Sequence, residues 1–265
     1  PGSPIRRGGV LLLTVLRLLQ RYRRGWRKLE VFPTAHTSED RRRGMLMFAL
    51  DGLLASASDN LVVPYLSLFL VALGGTGGQV GLMASVTGLA GACAFLPGAR
   101  LAARFPNYRR LVVATSLVAR LMLLFLALSP WLGGGRVIGV VIVLAALREA
   151  FGQLGNPAWT ALAARIVPED VRGRYFSART FLMTMAALVV APLAGRLIAS
   201  YRGVEGYQIS LGLAFVAGLL ASWSYSRIPA PSESQRQPTD EFPLLDVLRK
   251  LPEHRAFLRF CLVSI

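Results

Sequence analysis

Six long apolar segments dominate this chain and leave it few folds to choose from. They run Met45–Leu73, Gln79–Ala99, Leu111–Leu132, Val137–Ala164, Tyr175–Ser200 and Tyr207–Ser226. A helix rises about 1.5 Å per residue, so ~20 apolar residues cross the hydrocarbon core of a bilayer. Each segment reaches that length. Inside a bilayer every backbone polar group must be satisfied within a helix or a closed barrel. Barrel strands alternate apolar and polar residues over about ten positions, and these segments do not. The pattern predicts an all-α membrane protein.

Charge supports that reading and orients it. The chain is 54% hydrophobic and carries a formal charge of +16, from 30 Lys+Arg against 14 Asp+Glu. Such a basic balance fits a nucleic-acid binder only if the cations share a polar surface with aromatic residues. Here they cluster between the apolar runs, so no nucleic-acid partner is expected and a lipid bilayer is. Arg41, Arg42 and Arg43 precede the first segment, and Arg100, Arg104, Arg109 and Arg110 follow the second. Arg165, Arg172 and Arg174 follow the fourth, and Arg227, Arg236, Arg249 and Lys250 follow the sixth. The connections between them, "GGTGG", "SPWLGGGR" and "YRGVEG", hold one arginine or none. Arginine-rich loops stay in the cytoplasm. A multi-pass protein of the inner (plasma) membrane with a cytoplasmic amino terminus is predicted.

The flanks divide into three pieces. Residues 1–43 are basic. Within them Leu11, Val15, Leu18, Tyr22 and Trp26 share one helical face and Arg17, Arg21, Arg24 and Lys28 another. That stretch reads either as an interfacial helix on anionic lipid or as an upstream region without a role. The bundle itself is placed at residues 44–228. Residues 229–255 are polar and Pro-rich, as in a flexible cytoplasmic linker. Residues 256–265 read as the start of a seventh helix, about ten residues where a span needs ~20, so the sequence is expected to continue.

Enzyme signatures are missing from the sequence: there is no H-E-x-x-H, G-x-S-x-G or Walker loop. His36 and His254 lie outside the apolar segments, and Cys93 and Cys261 lack metal-ligand spacing. Neither enzyme chemistry, a cofactor nor a metal is expected.

Polar residues inside the spans are the functional signal. A charge at mid-bilayer costs ~2.5–3.5 kcal/mol on insertion scales and normally faces a bundle interior or a wet cavity. In the fourth segment Glu149, Gln153, Asn156 and Thr160 form one helical stripe, and Arg148, Gly152, Gly155 and Trp159 form the next. The first segment centres on "SDNLVVP", with Asp59 and Asn60 ahead of Pro64. Pro64 supplies no N–H to the Asn60 carbonyl, and broken polar helices at the midplane are where transporters place their sites. Burial and a neighbouring arginine act oppositely on a carboxylate's hold on its proton, which suits Asp59 as a proton-coupling group. Arg120 in the third segment lies deep enough to be its counter-ion. Asp51, about two turns nearer the cytoplasm, is expected to partner arginines there. Arg179 is expected to snorkel, and Gly81, Ala84, Ser85, Gly88, Gly91 and Ala92 to form a small-residue packing face.

The stretch "VPEDVRGRYFSAR", Val167 to Arg179, resembles the loop between helices four and five of the major facilitator superfamily, at Pro168, Glu169, Arg172 and Gly173. "LAALREAFG" is similar to that family's helix-four signature at Leu144, Arg148 and Gly152. "LAARFPNYRR" resembles its helix 2–3 loop at Leu101, Ala102, Arg104, Arg109 and Arg110, with Ala103 where the family has aspartate. "VAPLAGR" keeps Pro192 and Gly195 of its helix-five antiporter signature.

Over roughly residues 37–265 the resemblance implies the amino-terminal half of such a protein. It implies a six-helix bundle of two three-helix inverted repeats, with a second, carboxy-terminal six-helix half as partner. It also implies a secondary active transporter of a small solute working by alternating access, with proton-coupled export favoured. Arg148 would then act with Asp59 in proton coupling, and Asn60, Arg120, Glu149, Gln153 and Asn156 would line the solute cavity. Leu101, Arg104, Arg109, Arg110, Pro168, Glu169, Arg172 and Gly173 would be the loop positions that follow the conformational change. The alternatives are an uptake carrier or facilitator, or a non-transporting receptor or assembly protein on the same fold.

The topology is directly testable. Single cysteines at Gly75 and Gly134 are expected to react with an impermeant reagent from outside intact cells, while cysteines at Asn107 and Asp170 stay protected. External labelling at Asn107 would overturn the orientation.

Overall fold

The computed structural model describes residues 39–105 and 107–228. The expected interfacial helix, the linker 229–255 and the start of a seventh helix at 256–265 lie outside the described residues. Their regular elements are all helices, without a strand among the described residues. Seven α-helices follow in order: α1 (Glu39–Asn60), α2 (Leu66–Ala72), α3 (Gly77–Arg104), α4 (Tyr108–Leu128), α5 (Val137–Ile166), α6 (Glu169–Ser200) and α7 (Glu205–Ser226). They supply six membrane-length spans, the first of which joins α1 to α2 through the 3-10 turn Val63–Tyr65.

The break in that first span follows from Pro64. With no N–H to donate there, the α-helical pattern ends at Asn60. The backbone tightens to Val62 N–H→Asp59 O (3.1 Å) and Tyr65 N–H→Val62 O (2.9 Å) before α2 starts. Just past the end of α2, Gly74 sits at φ +90°, and Gly75 N–H reaches back to Leu70 O at 2.9 Å. A left-handed glycine with this bond closes a Schellman motif. The next helix begins two residues later on a capping box: Gln79 N–H→Thr76 Oγ1 (3.4 Å) and Thr76 N–H→Gln79 Oε1 (2.8 Å). Asn107 caps α4 through Arg110 N–H→Asn107 Oδ1 at 3.1 Å. Glu169 and Asp170 place negative charge in the first turn of α6, where the helix dipole favours it.

Side-to-side packing runs in the order α3–α5–α4–α7–α1–α6. Glycine sets the closest approach at the α3–α5 seam: a Cβ on Gly98 would lie 2.5 Å from the Leu154 carbonyl oxygen. The small-residue face expected to pack within the bundle does so only at Gly91, beside Glu149 and Gln153; Gly81, Ala84, Ser85, Gly88 and Ala92 are exposed. The residues α3 buries are Met83, Gly91, Gly98 and Ala102. The reason is geometric, since α3 stands at one end of the packing order and has a neighbour on one side.

Around α1, hydroxyls hold the helices together. Ser58 Oγ donates to Ala214 O (2.7 Å), Ser210 Oγ to Leu61 O (2.7 Å) and Ser224 Oγ to Met47 O (3.0 Å), all joining α1 and its turn to α7. Tyr175 Oη→Met45 O (2.7 Å), Ser56 Oγ→Met183 O (2.8 Å) and Tyr65 Oη→Ala191 O (2.6 Å) join the first span to α6. Such bonds matter in lipid, where apolar packing between helices gains nothing from the hydrophobic effect.

The apolar core is split in two. One cluster, around Met45, Phe48, Leu111, Leu162, Tyr175 and Tyr225, sits at the end of the bundle that carries the arginine-rich connections. The other, around Val62, Phe69, Leu123, Val141, Ile142 and Leu211, sits at the opposite end. The level between them belongs to polar and charged side chains.

Candidate functional site

That middle level is a cleft of about 410 Å³, lined from α1, α4, α5, α6 and α7. Asp59 projects into it from the last turn of α1, immediately before the Pro64 break. Arg148 Nη2 donates to Asp59 Oδ1 at 2.6 Å, and Arg120 Nη1 donates to the same oxygen at 3.1 Å. Arg120 Nη1 also donates to Ser58 Oγ at 3.0 Å. One carboxylate thus ties α1 to both α4 and α5. The stem of Arg120 lies against Gly218 of α7, where a Cβ would collide with it.

Along α5 the polar stripe bonds to itself. Gln153 Nε2 donates to Glu149 Oε1 (2.9 Å), Asn156 Nδ2 to Gln153 Oε1 (3.1 Å) and Thr160 Oγ1 to Asn156 O (3.0 Å). Arg148 Nη1 lies 3.9 Å from Glu149 Oε2, so Arg148 stands between two carboxylates. Pro157 lies inside α5 and gives no N–H to the Gln153 carbonyl, which leaves another acceptor beside the cleft.

Of the residues the sequence suggested, the structure brings Asp59, Arg120, Arg148, Glu149, Gln153 and Asn156 into one wall. Asn60 is not in that wall. Its amide turns back along α1, to Ser56 O (2.8 Å) and Ser56 Oγ (3.4 Å). One residue's rotation from Asp59 carries it toward the α6 side instead.

The loop residues sit at the arginine-rich end. Leu101 packs against the core cluster there. Arg109 Nη1 donates to Ile228 O at 2.7 Å, tying the start of α4 to the end of α7. Arg172 Nη2 donates to Ala164 O at 3.0 Å, capping the last turn of α5, and lies 3.8 Å from Glu169 Oε1. Pro168 is the N-cap of α6, while Arg104, Arg110 and Gly173 are exposed.

Arg179 corrects a sequence expectation. It does not snorkel: its side chain is 9% exposed and its guanidinium turns inward, 3.7 Å from Asp51 Oδ2. Nε donates to Phe48 O at 3.3 Å, and the guanidinium carbon lies 4.7 Å from the Phe48 ring centre and 5.2 Å from that of Trp159. Two aromatic faces and a carboxylate outweigh the pull of the headgroups. Gly52 makes room, since a Cβ there would meet the guanidinium. Sequence reasoning also missed Ser116, Ser222 and Tyr225. Ser116 and Ser222 hydroxyls lie 3.0 Å apart across the α4–α7 seam, and all three residues line the cleft. Their spacing in the sequence carried no sign of this, because serine and tyrosine are ordinary at helix contacts.

Removing Arg179 would strand Asp51, whose side chain is only 13% exposed. Arg179→Ala is expected to cost about 3 kcal/mol of stability, as for other broken buried pairs. In a cycle of Asp51→Asn, Arg179→Met and the double variant, chemical unfolding in detergent should give a coupling of at least about 1 kcal/mol. Additive single effects would show that the pair is not coupled.

Among curated proteins, none matches the chain. The family model of the Major Facilitator Superfamily matches residues 48–265. The chain belongs to the Major Facilitator Superfamily, a family of membrane transporters rather than enzymes.

Proposed function

We propose that this secondary transporter moves a small solute by alternating access, coupled to protons through Asp59, with export the favoured direction. The observation that carries the reading is the Asp59–Arg120–Arg148 cluster in a polar cleft between two apolar cores. Three helices meet there on one carboxylate, so a change in its charge alters how α1 is held against α4 and α5. Proton uptake by Asp59 would weaken both arginine bonds at once. That gives a route from protonation to helix movement without any further part.

The arginine-rich end of the bundle is assigned to the cytoplasm on the positive-inside rule. The cleft would then extend from mid-membrane toward the cytoplasmic side, through Val112, Asn156, Trp159 and Tyr225. The six spans are read as two inverted three-helix repeats. In support, the packing order of the spans is 2–4–3–6–1–5, and exchanging the first three for the last three returns the same order reversed. Spans two and five stand at its ends and bury the least of their surface. Those faces suit a second six-helix bundle closing the solute pathway. Export is favoured on the likeness of the Arg148 helix to the family's helix-four signature, whose arginine is implicated in proton coupling in exporters.

The test uses the intact protein in vesicles and a solute whose movement follows an imposed proton gradient. Asp59→Asn keeps shape and hydrogen bonding but cannot titrate. It is expected to abolish gradient-driven accumulation while solute exchange at equal pH persists. Undiminished accumulation in Asp59→Asn would remove Asp59 from proton coupling. A wild-type protein that binds solute without moving it would contradict transport itself.

A further inference from the structure

The cleft is lined by three carboxylates, Asp51, Asp59 and Glu149, and three arginines, Arg120, Arg148 and Arg179. Their formal charges cancel, so its preference depends on which atoms reach the open space. The arginines are set back. Their side chains are 11%, 13% and 9% exposed, against 44% for Asp59 and 33% for Glu149.

The bonding pattern points the same way. Arg120 and Arg148 both donate to Oδ1 of Asp59. Oδ2 accepts no hydrogen bond from the described residues. Glu149 receives Gln153 on Oε1, while its Oε2 is 3.9 Å from Arg148 Nη1, beyond hydrogen-bond reach. Two negatively charged oxygens are therefore left with open acceptor positions. An anion would need a guanidinium fork turned toward it, and the forks of Arg120 and Arg148 are turned toward α1. The remaining wall sets apolar side chains, Ala55, Val112, Val113, Met183 and the Trp159 ring, beside the neutral polar Ser116, Gln153, Asn156 and Ser222. Its volume is in the range that takes a drug-sized molecule.

We infer that the cleft takes an organic cation with an apolar body, its charged end seated on Oδ2 of Asp59 and on Glu149. The inference rests on the reading of this cleft as the solute cavity, and it names the class of solute. An ammonium group donates two or three charge-assisted hydrogen bonds to such oxygens. The apolar body then lies along the wall toward Trp159.

The test is equilibrium binding to the purified intact protein in an uncharged detergent. Three probes that share one phenylethyl body and differ in its end group separate charge from shape: 2-phenylethylammonium, 2-phenylethanol and 3-phenylpropionate. The ammonium probe is expected to bind at least about tenfold more tightly than the carboxylate, a ratio typical of one well-placed charge-assisted contact. Asp59→Asn and Glu149→Gln should each reduce that ratio by at least about threefold, since each removes one of the negative oxygens. Glu149→Gln leaves the helix-linking Asp59 cluster in place, so it remains informative if Asp59→Asn fails to fold. An ammonium probe that binds no better than the alcohol or the carboxylate overturns the inference. So does a preference that survives unchanged in Glu149→Gln. Binding does not require transport, so a protein that holds the cation without moving it refutes the transport mechanism alone. A protein that moves solute on a proton gradient yet prefers the carboxylate refutes the solute class alone.

Discussion

Oδ1 of Asp59 receives Arg148 at 2.6 Å and Arg120 at 3.1 Å, and through it α1 is held to α4 and α5 where the apolar core is interrupted. In lipid these three charges are costly singly, at ~2.5–3.5 kcal/mol each on insertion scales. Grouped around one oxygen, with Ser58 taking a further bond, they become a joint between helices. On the proposed coupling, proton uptake by Asp59 loosens that joint. A packed leucine in place of Asp59 would give stability without the option of letting go.

The rest of the bundle leaves that option open. Hydroxyl-to-carbonyl bonds along the α1–α7 and α1–α6 seams fix helices at points rather than along continuous apolar faces. The two apolar clusters lie at opposite ends, with the cleft between them. Glycines bring α3 against α5 and let Arg120 and Arg179 lie flat on neighbouring helices. Movement at the middle level therefore need not unpack either end.

Much of this was legible in the sequence, for identifiable reasons. Spans are set by length and hydropathy, and the sequence-based bounds of Val137–Ala164 and Tyr207–Ser226 fall within two residues of α5 and α7. Pro64 announced the break after Asn60, because a missing N–H acts locally. The depth of Asp59, Arg120 and Arg148 could be counted from the ends of their segments, and depth brought them to one level. What could not be counted was azimuth between helices. Its distance from the helix end lets Arg179 reach the headgroups, so depth alone places it there. Only the folded bundle shows the Phe48 and Trp159 rings and Asp51 turned toward it. Asn60 differs from Asp59 by one position and a third of a turn, which is enough to take it out of the cleft. The small-residue face of α3 was visible, but the sequence could not say that its neighbour lies elsewhere.

For Asp59 and its arginines to serve in coupling, water must reach them within the membrane, and solvent access at that level can be measured. In a background with Cys93 and Cys261 replaced by serine, single cysteines would be placed at Ser116 and Gly152 in the cleft wall, and at Phe125 and Val143. The latter two are 47% and 57% exposed on the apolar outside of the bundle. A charged, membrane-impermeant maleimide applied to both faces of the membrane should modify Ser116→Cys and Gly152→Cys, and spare Phe125→Cys and Val143→Cys. If the two cleft positions prove as unreactive as the two outer ones, the cleft is dry and the account of Asp59 fails.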